Sequence, residues 1–383
     1  LVTDPPYEIN LRDNAWDSSG IAFDTDMWEE MLRVLKPGAF AVVFGHPKTV
    51  HRVKVAMEDS GFLIRDTLMW LYANALVTGK AVSREIDKAL GKPRTNDRKA
   101  TTLTTGRLDT SDDAFEYDTH QTGLAATFDD WHTNLRPGYE PIVLAQKPST
   151  LTIGENYVKW GVGGLNIGSA RVPWSADEGI PKEKMMGEMI NNAAYFCRPS
   201  QDGRYPMNVL VDEEASNLVR QQSGTDVARY YKVLDVSGSR TFYTDKVTSA
   251  EREFGCEDLP HKERVEVYKK GYGGTTHART DIKNWHPTVK PMALMEHLVT
   301  LVCPTSGLVL DPFTGSGSTG MACLRKGFRF TGVELSDEFV TIARARLAAM
   351  EERVRISKDR GLAEAPTEFK RDRLYPEGQA TWM

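Results

Sequence analysis

Two short stretches, more than three hundred residues apart, hold the residue types that could do chemistry. Asp4-Pro5-Pro6-Tyr7 follows the apolar Leu1-Val2, where a buried strand would end and open into a crevice. The quartet offers an acceptor-only carboxylate, two residues without a backbone N–H, and an aromatic face. That set suits gripping a planar ring that carries an amino group, although a proline-rich turn after a strand would use the same residues. Far downstream, Gly315, Gly317 and Gly320 fit G-x-G-x-x-G between a predicted strand and a predicted helix, the place of a nucleotide-binding turn. A glycine turn serving only close packing has the same spacing.

Glu334 narrows the choice. It stands at the end of the following predicted strand, nineteen residues after Gly315, where a carboxylate can accept both hydrogen bonds of a ribose diol. No Lys-Ser/Thr ending follows the glycines, so this is not a phosphate-cradling loop. Asp311-Pro312-Phe313 runs directly into Thr314-Gly315-Ser316-Gly317. An acidic residue at that mouth repels phosphate and favours a cationic or amine-bearing ligand. S-adenosylmethionine, with a sulfonium, an ammonium and a ribose, fits this charge pattern better than NAD.

Composition bounds the rest. With 383 residues, 40% hydrophobic and 26% charged, the chain has room for one large domain with a sizeable insertion, or for two domains. No run approaches the roughly 18 apolar residues of a membrane span, and no signal segment is recognisable. The four cysteines are scattered with no C-x-x-C pair, which fits a reducing cytosol and gives no zinc site. The eight histidines contain no H-E-x-x-H, so no metal site is expected. A net charge of −5 argues against non-specific coating of nucleic acid but leaves room for local basic surfaces. Lys80 to Arg107 and Lys262 to Lys290 are two such stretches; either could equally be a solvated face.

Elements that could position these groups are legible at both ends. Trp28, Met31, Leu32 and Leu35 recur at helical spacing until Lys36-Pro37-Gly38, and Ala39 to Phe44 reads as a buried parallel strand. Val50, Val53 and Met57 mark a second helix, and Phe62 to Leu71 a further strand. This alternation predicts a parallel sheet covered on both faces. From about Tyr72 to Pro137 the chain is polar and aperiodic. A strand over Pro141 to Ala145 follows, then a glycine-punctuated region to about Trp285. Order returns with Pro291 at the first position of a helix, the strand Leu308 to Leu310, a helix to about Lys326, the strand Phe328 to Val333, and a helix capped by Ser336.

At this point the chain resembles the amino-group DNA methyltransferases, which modify adenine N6 or cytosine N4. The resemblance rests on Asp4-Pro5-Pro6-Tyr7, on Asp311 to Gly317, and on His286-Pro287-Thr288-Val289-Lys290-Pro291. The order, catalytic motif first and cofactor loop last, is similar to their β arrangement, a circular rearrangement of the usual domain. Glu140 to Ala145, Leu165-Asn166-Ile167-Gly168, and Tyr243-Thr244-Asp245-Lys246 with Glu251-Arg252 resemble phage and prophage members. The resemblance implies an α/β, Rossmann-like methyltransferase sheet, mostly parallel, with an inserted target-recognition region. It implies that the Asp4 carboxylate and the Pro5 carbonyl accept hydrogen bonds from the target amine, within the catalytic set Asp4, Pro5, Pro6 and Tyr7. Tyr7 would stack on a base flipped out of the duplex. Phe313, Gly315 and Gly317 would line the methionine moiety of S-adenosyl-L-methionine, with Asp311, Thr314 and Ser316 in the same loop. Glu334 would hold the ribose and Lys290 the methionine carboxylate; Thr288 and His286 are lesser candidates.

The expected organisation is a catalytic half (1–75), a polar insertion (76–138), a further sheet strand (139–147), a target-recognition region (148–285), a cofactor half (286–355) and a charged tail (356–383). Double-stranded DNA is the expected partner and the bacterial or phage-infected cytoplasm the expected location, with no membrane. A homodimer and a companion restriction endonuclease stay open. Cytosine C5 chemistry is set aside because no Pro-Cys dipeptide is present. An aspartate opening the quartet leans to adenine N6, with cytosine N4 as the alternative. An NAD-dependent oxidoreductase and a catalytically silent DNA-binding module are the readings from other classes. The strand before the quartet is very short, so the β arrangement predicts an N-terminally truncated chain.

Overall fold

The computed structural model describes residues 1–10, 15–72, 79–94, 120–174, 184–185, 196–197, 200–223, 227–234, 247–262 and 282–362. Tyr243 to Lys246, Gly271 to Gly274 and much of both basic stretches lie outside them.

The first half is built on a strand that is apolar at every position. Val2–Thr3 (β1) pairs in parallel with Phe40–Phe44 (β2), whose five residues are all buried. Such a strand needs cover on both faces. Ala41 and Val43 point to one face, against Trp28 of helix α1 (Thr25–Val34) and Val53 and Met57 of α2 (Val50–Asp59). Val42 and Phe44 point to the other face. Asp24 starts α1 by accepting the Asp26 amide, and the Trp28 indole donates to the Ala22 carbonyl at 3.0 Å.

Strand β3 (Leu63–Leu71) follows α2, but it is not the neighbour of β2. After α3 (Val82–Ala89) and α4 (Gly123–Thr127), the strand β4 (Tyr139–Gln146) inserts antiparallel between them, pairing Leu144 with Val42 and Ile142 with Leu68. β2 and β3 therefore keep the same direction without touching. β1, β2 and β3 thus share one direction, in keeping with the expected mostly parallel sheet, and β4 is the exception, since an apolar run carries no information about direction.

The glycine-punctuated region is not purely an insertion. It contains α5 (Ile153–Trp160), α6 (Ile167–Ala170) and a small antiparallel pair, β5 (Lys184–Met185) and β6 (Phe196–Cys197). It then returns β7 (Val209–Asp212) to the main sheet, parallel to β3, followed by α7 (Glu213–Ser223) and β8 (Lys232–Leu234) parallel to β7. The six-stranded order is β1-β2-β4-β3-β7-β8, with β4 alone antiparallel to its neighbours.

The last part starts earlier than residue 286. Helix α8 (Ser249–Glu253) carries Glu251, whose carboxylate accepts the Met292 amide at 2.6 Å at the start of α9 (Met292–Val302). Pro291 sits just before α9 as its cap rather than inside it. β9 (Leu308–Asp311), α10 (Ser318–Lys326) and β10 (Arg329–Gly332) form a parallel unit, closed by α11 (Asp337–Asp359). β9 lies alongside β1, and α9 covers the sheet face of Val42 and Phe44 with Met295 and Leu298. α11 continues four residues into the stretch expected as tail. Among the described residues no helix is long and apolar enough to cross a membrane.

Candidate active site

The two motifs meet where β1 and β9 run side by side. The Thr3 hydroxyl donates to Asp311 at 2.6 Å, and the Thr319 hydroxyl donates to the other oxygen of the same carboxylate at 2.6 Å. The Phe313 amide adds a third bond at 3.1 Å. Asp311 is therefore not a free charge at the mouth of the loop. It is buried, burial pushes its carboxyl up to about 6, and it ties β1 to the glycine loop. The acidic residue expected at the mouth of the loop lies buried beneath it instead.

At the end of β1, the Asp4 side chain faces Lys290. Oδ2 of Asp4 accepts from the Lys290 ammonium, while Oδ1 is buried and has no hydrogen-bond partner. An unsatisfied buried carboxylate oxygen is costly unless a ligand completes it. Lys290 itself is buried, donates to the Tyr7 hydroxyl at 3.2 Å, and lies 4.0 Å from Glu140 on β4. Tyr7 in turn donates to Glu140 at 3.3 Å. Burial and the neighbouring Asp4 hold the Tyr7 phenol well above its ordinary range, so it stays neutral. The ammonium of Lys290, expected at the methionine carboxylate, instead holds Asp4 and Tyr7. Glu140 lies in a family-like stretch, and nothing in its spacing announces a place beside Tyr7.

The glycine loop is shaped by what packs on it. Gly315 and Gly317 have φ of +53° and +82°, in the left-handed region. A Cβ at Gly315 would lie 2.6 Å from Nε2 of His286, so the His286 ring occupies the space a side chain would need. Burial, with Arg252 and Lys290 nearby, lowers the His286 pKa to about 3 and keeps the ring neutral. The Thr288 amide donates to its Nδ1 at 3.3 Å, so Thr288 shapes the turn that carries His286. Glu334 accepts the Gly315 amide at 2.8 Å with one oxygen and the Ser336 amide at 2.9 Å with the other. Each oxygen retains a lone pair, and the flanking Val333 and Leu335 side chains are exposed.

Beneath the loop lies Arg346, fully buried on α11. Its guanidinium donates to the Ser316 carbonyl at 2.6 Å, the Ser316 hydroxyl at 3.0 Å and the Glu251 carbonyl at 3.2 Å. Arg252 donates to the His286 carbonyl at 2.7 Å, and Asn284 holds the Arg252 carbonyl at 2.8 Å. None of these supports was singled out as a site residue. The signal for Arg346 was present, since it falls four residues from both Ile342 and Met350 on the buried face of α11.

The basic stretches divide. Lys80, Lys88 and Lys92 are exposed, but Arg94 is paired with the buried Asp87 at 2.7 Å. In the second stretch, Lys262 binds Glu338 and lies 3.6 Å from the Trp285 ring centre, Lys283 donates to the Glu257 carbonyl, and Lys290 binds Asp4. Among the described residues no His, Cys, Asp and Glu group could hold a metal ion.

A family model described as DNA methylase, of N6/N4 type, matches residues 1–345. The type II methyltransferase M2.DpnII of Streptococcus pneumoniae is 40% identical over 74 residues, 18% of this chain and 28% of that protein. The type II methyltransferase M.HindIII of Haemophilus influenzae is 25% identical over 321 residues, 83% of this chain and 66% of that protein. The chain therefore spans less than two thirds of the length of either relative. The solved M1.HpyAVI–SAM complex aligns with 90% of this chain and 87% of its own at 16% identity, with a TM-score of 0.35. With the family model covering the chain from the Asp4 loop through the glycine loop and into α11, this chain belongs to the N6/N4 DNA methylase family.

Proposed function

We propose that this chain transfers a methyl group from S-adenosylmethionine to the exocyclic amine of a base in double-stranded DNA, with adenine N6 preferred and cytosine N4 the alternative. The observation that carries the reading is the buried, unpartnered Oδ1 of Asp4. It is an acceptor without a donor, in a loop whose prolines leave carbonyls but no competing N–H groups.

An exocyclic amine is a poor nucleophile because its lone pair is delocalised into the ring. Asp4 Oδ1 would accept one amino hydrogen and the Pro5 carbonyl the other. Two acceptors on one amino group draw its nitrogen towards tetrahedral geometry and localise the lone pair. Lys290 holds the second Asp4 oxygen and so fixes the plane of the carboxylate. Tyr7, gripped at its hydroxyl by Lys290 and Glu140, would present its ring to the flipped base. The proton leaves the amine after transfer.

The cofactor side fits an adenosine ligand. Glu334 stands at the strand end with lone pairs to spare for a ribose diol, and Val333 and Leu335 offer apolar surface beside it. The bound cofactor supplies an electrophilic sulfonium methyl. Gly315, Phe313 and the neutral His286 would line its other end.

Incubation with S-adenosylmethionine and unmethylated DNA, then digestion and nucleoside mass spectrometry, tests the proposal. N6-methyladenine is expected, N4-methylcytosine would select the alternative, and DNA retention without either would leave a silent binding module. Asp4→Ala should abolish transfer while leaving cofactor affinity within about three-fold, because Asp4 acts on the amine. Substantial residual methylation by that variant would remove Asp4 from its role.

A further inference from the structure

The catalytic loop has an unusual anchoring problem. Pro5 and Pro6 have no N–H, so the first backbone donors available to hold the loop beyond Asp4 are those of Tyr7, Glu8 and Ile9. All three converge on one side chain. Asp17, buried on the 3-10 turn Ala15–Ser18, accepts the Tyr7 and Glu8 amides through Oδ1 at 2.8 and 3.0 Å and the Ile9 amide through Oδ2 at 3.3 Å. Thr49 grips the same point from the other side, donating its hydroxyl to the Tyr7 carbonyl at 2.7 Å.

The grip holds the backbone in a conformation it would not choose. Glu8 has φ of +55°, in the left-handed region that costs a non-glycine residue free energy unless its surroundings enforce it. The enforcement is reciprocal, because Glu8 accepts the Gly20 amide at 2.8 Å just after the Asp17 turn. Two prolines with fixed φ then act as a stiff link between Tyr7 and Asp4. A displacement at Tyr7 is carried to the Asp4 carboxylate and the Pro5 carbonyl rather than absorbed between them.

We propose that Asp17 is a positioning residue for methyl transfer, setting the aim of Asp4 and Pro5 through the Tyr7, Glu8 and Ile9 amides without touching either substrate. The proposal rests on the methyltransferase reading given above. Asp17→Asn is nearly isosteric but turns one of the two accepting oxygens into a donor facing N–H groups. In the full chain it should lower kcat at least ten-fold, since misplacement of reacting groups by about 1 Å can cost a hundred-fold. The cofactor dissociation constant, read by calorimetry on the folded protein, should stay within two-fold of wild type. Thr49→Val should lower kcat by a smaller factor and likewise leave the cofactor dissociation constant within two-fold of wild type.

A merely structural role would lower kcat and cofactor affinity together, and that result overturns the proposal, as does a wild-type kcat for Asp17→Asn. Should Asp17→Asn not fold, Asp17→Glu is read instead. Its longer carboxylate keeps the charge but cannot meet all three amides in place, and a wild-type kcat there overturns the proposal equally. A wild-type chain that methylates no DNA would defeat the underlying reading instead, so the two failures are distinct.

Discussion

The tie between the two motifs makes a quantitative prediction about pH. Asp311 is buried, and its carboxyl is raised from 3.8 to about 6 chiefly by burial, against the opposing hydrogen bonds of Thr3 and Thr319. A carboxyl with a raised folded pKa binds its proton more tightly in the folded state. Its contribution is therefore most favourable below about pH 4 and is lost as pH rises through about 6. From these two values, linkage gives a loss of about 1 kcal/mol by pH 4.5 and about 3 kcal/mol by pH 7.5, or about 2 kcal/mol across that interval. Asp311→Asn removes the titration while keeping an acceptor for the Phe313 amide and polar partners for both threonines. Urea unfolding of wild type and variant at the two pH values yields a double difference. Glu251, raised to about 7 by burial, titrates with the same sign but is present in both proteins and cancels. We expect the variant to gain about 2 kcal/mol relative to wild type between pH 4.5 and 7.5. A double difference near zero, or of opposite sign, would refute the assignment of Asp311 as a buried tie between the two motifs.

Three further outcomes follow from the cofactor side. Glu334→Ala should weaken S-adenosylmethionine binding at least ten-fold by calorimetry, because both backbone anchors and the ribose acceptor are lost; unchanged affinity would end the ribose role. Arg346→Met should cost about 3 kcal/mol or more in unfolding experiments, since it strips the Ser316 carbonyl and the Glu251 backbone of a buried cation. His286 should show no titration of its ring between about pH 5 and 8 by NMR, as burial and nearby cations hold its pKa near 3. A ring titrating near its ordinary 6.5 would contradict the packing of His286 on Gly315.

The parts that sequence made legible are those with a local signature. The proline quartet, the glycine loop and Glu334 are chemistry written in consecutive or evenly spaced residues, and β1 and β9 bring them together. The helices around Trp28 and Met57 follow from apolar spacing; the first ends at Val34, just ahead of Lys36-Pro37-Gly38, and the second at Asp59, just ahead of Gly61. What stayed hidden is pairing over distance. Lys290 reads from the sequence as a partner for the methionine carboxylate, and its pairing with Asp4, 286 residues away, appears only in the fold. The direction of β4 and the return of β7 to the sheet depend on which edges are open, and Val209–Asp212 is too short to announce itself. Asp17 has no motif at all; its meaning comes from two prolines that left the loop without amides.

The Thr3–Asp311 bond joins residues 308 apart in the chain, and this has a consequence for assembly. Closing a loop of that size costs only about 2 kcal/mol more entropy than closing one of thirty residues, because the cost grows as the logarithm of length. The penalty falls on time instead, since contacts of such separation are made late in folding. During synthesis the Asp4 loop emerges roughly three hundred residues before its counterpart, at a ribosomal rate of about 5–20 residues per second. For tens of seconds the nascent chain carries only one of the two loops that the proposed methyl transfer would need. Every segment between the two loops is made during that wait, including β4 with Glu140 and α8 with Glu251 and Arg252, whose contacts complete the surroundings of both.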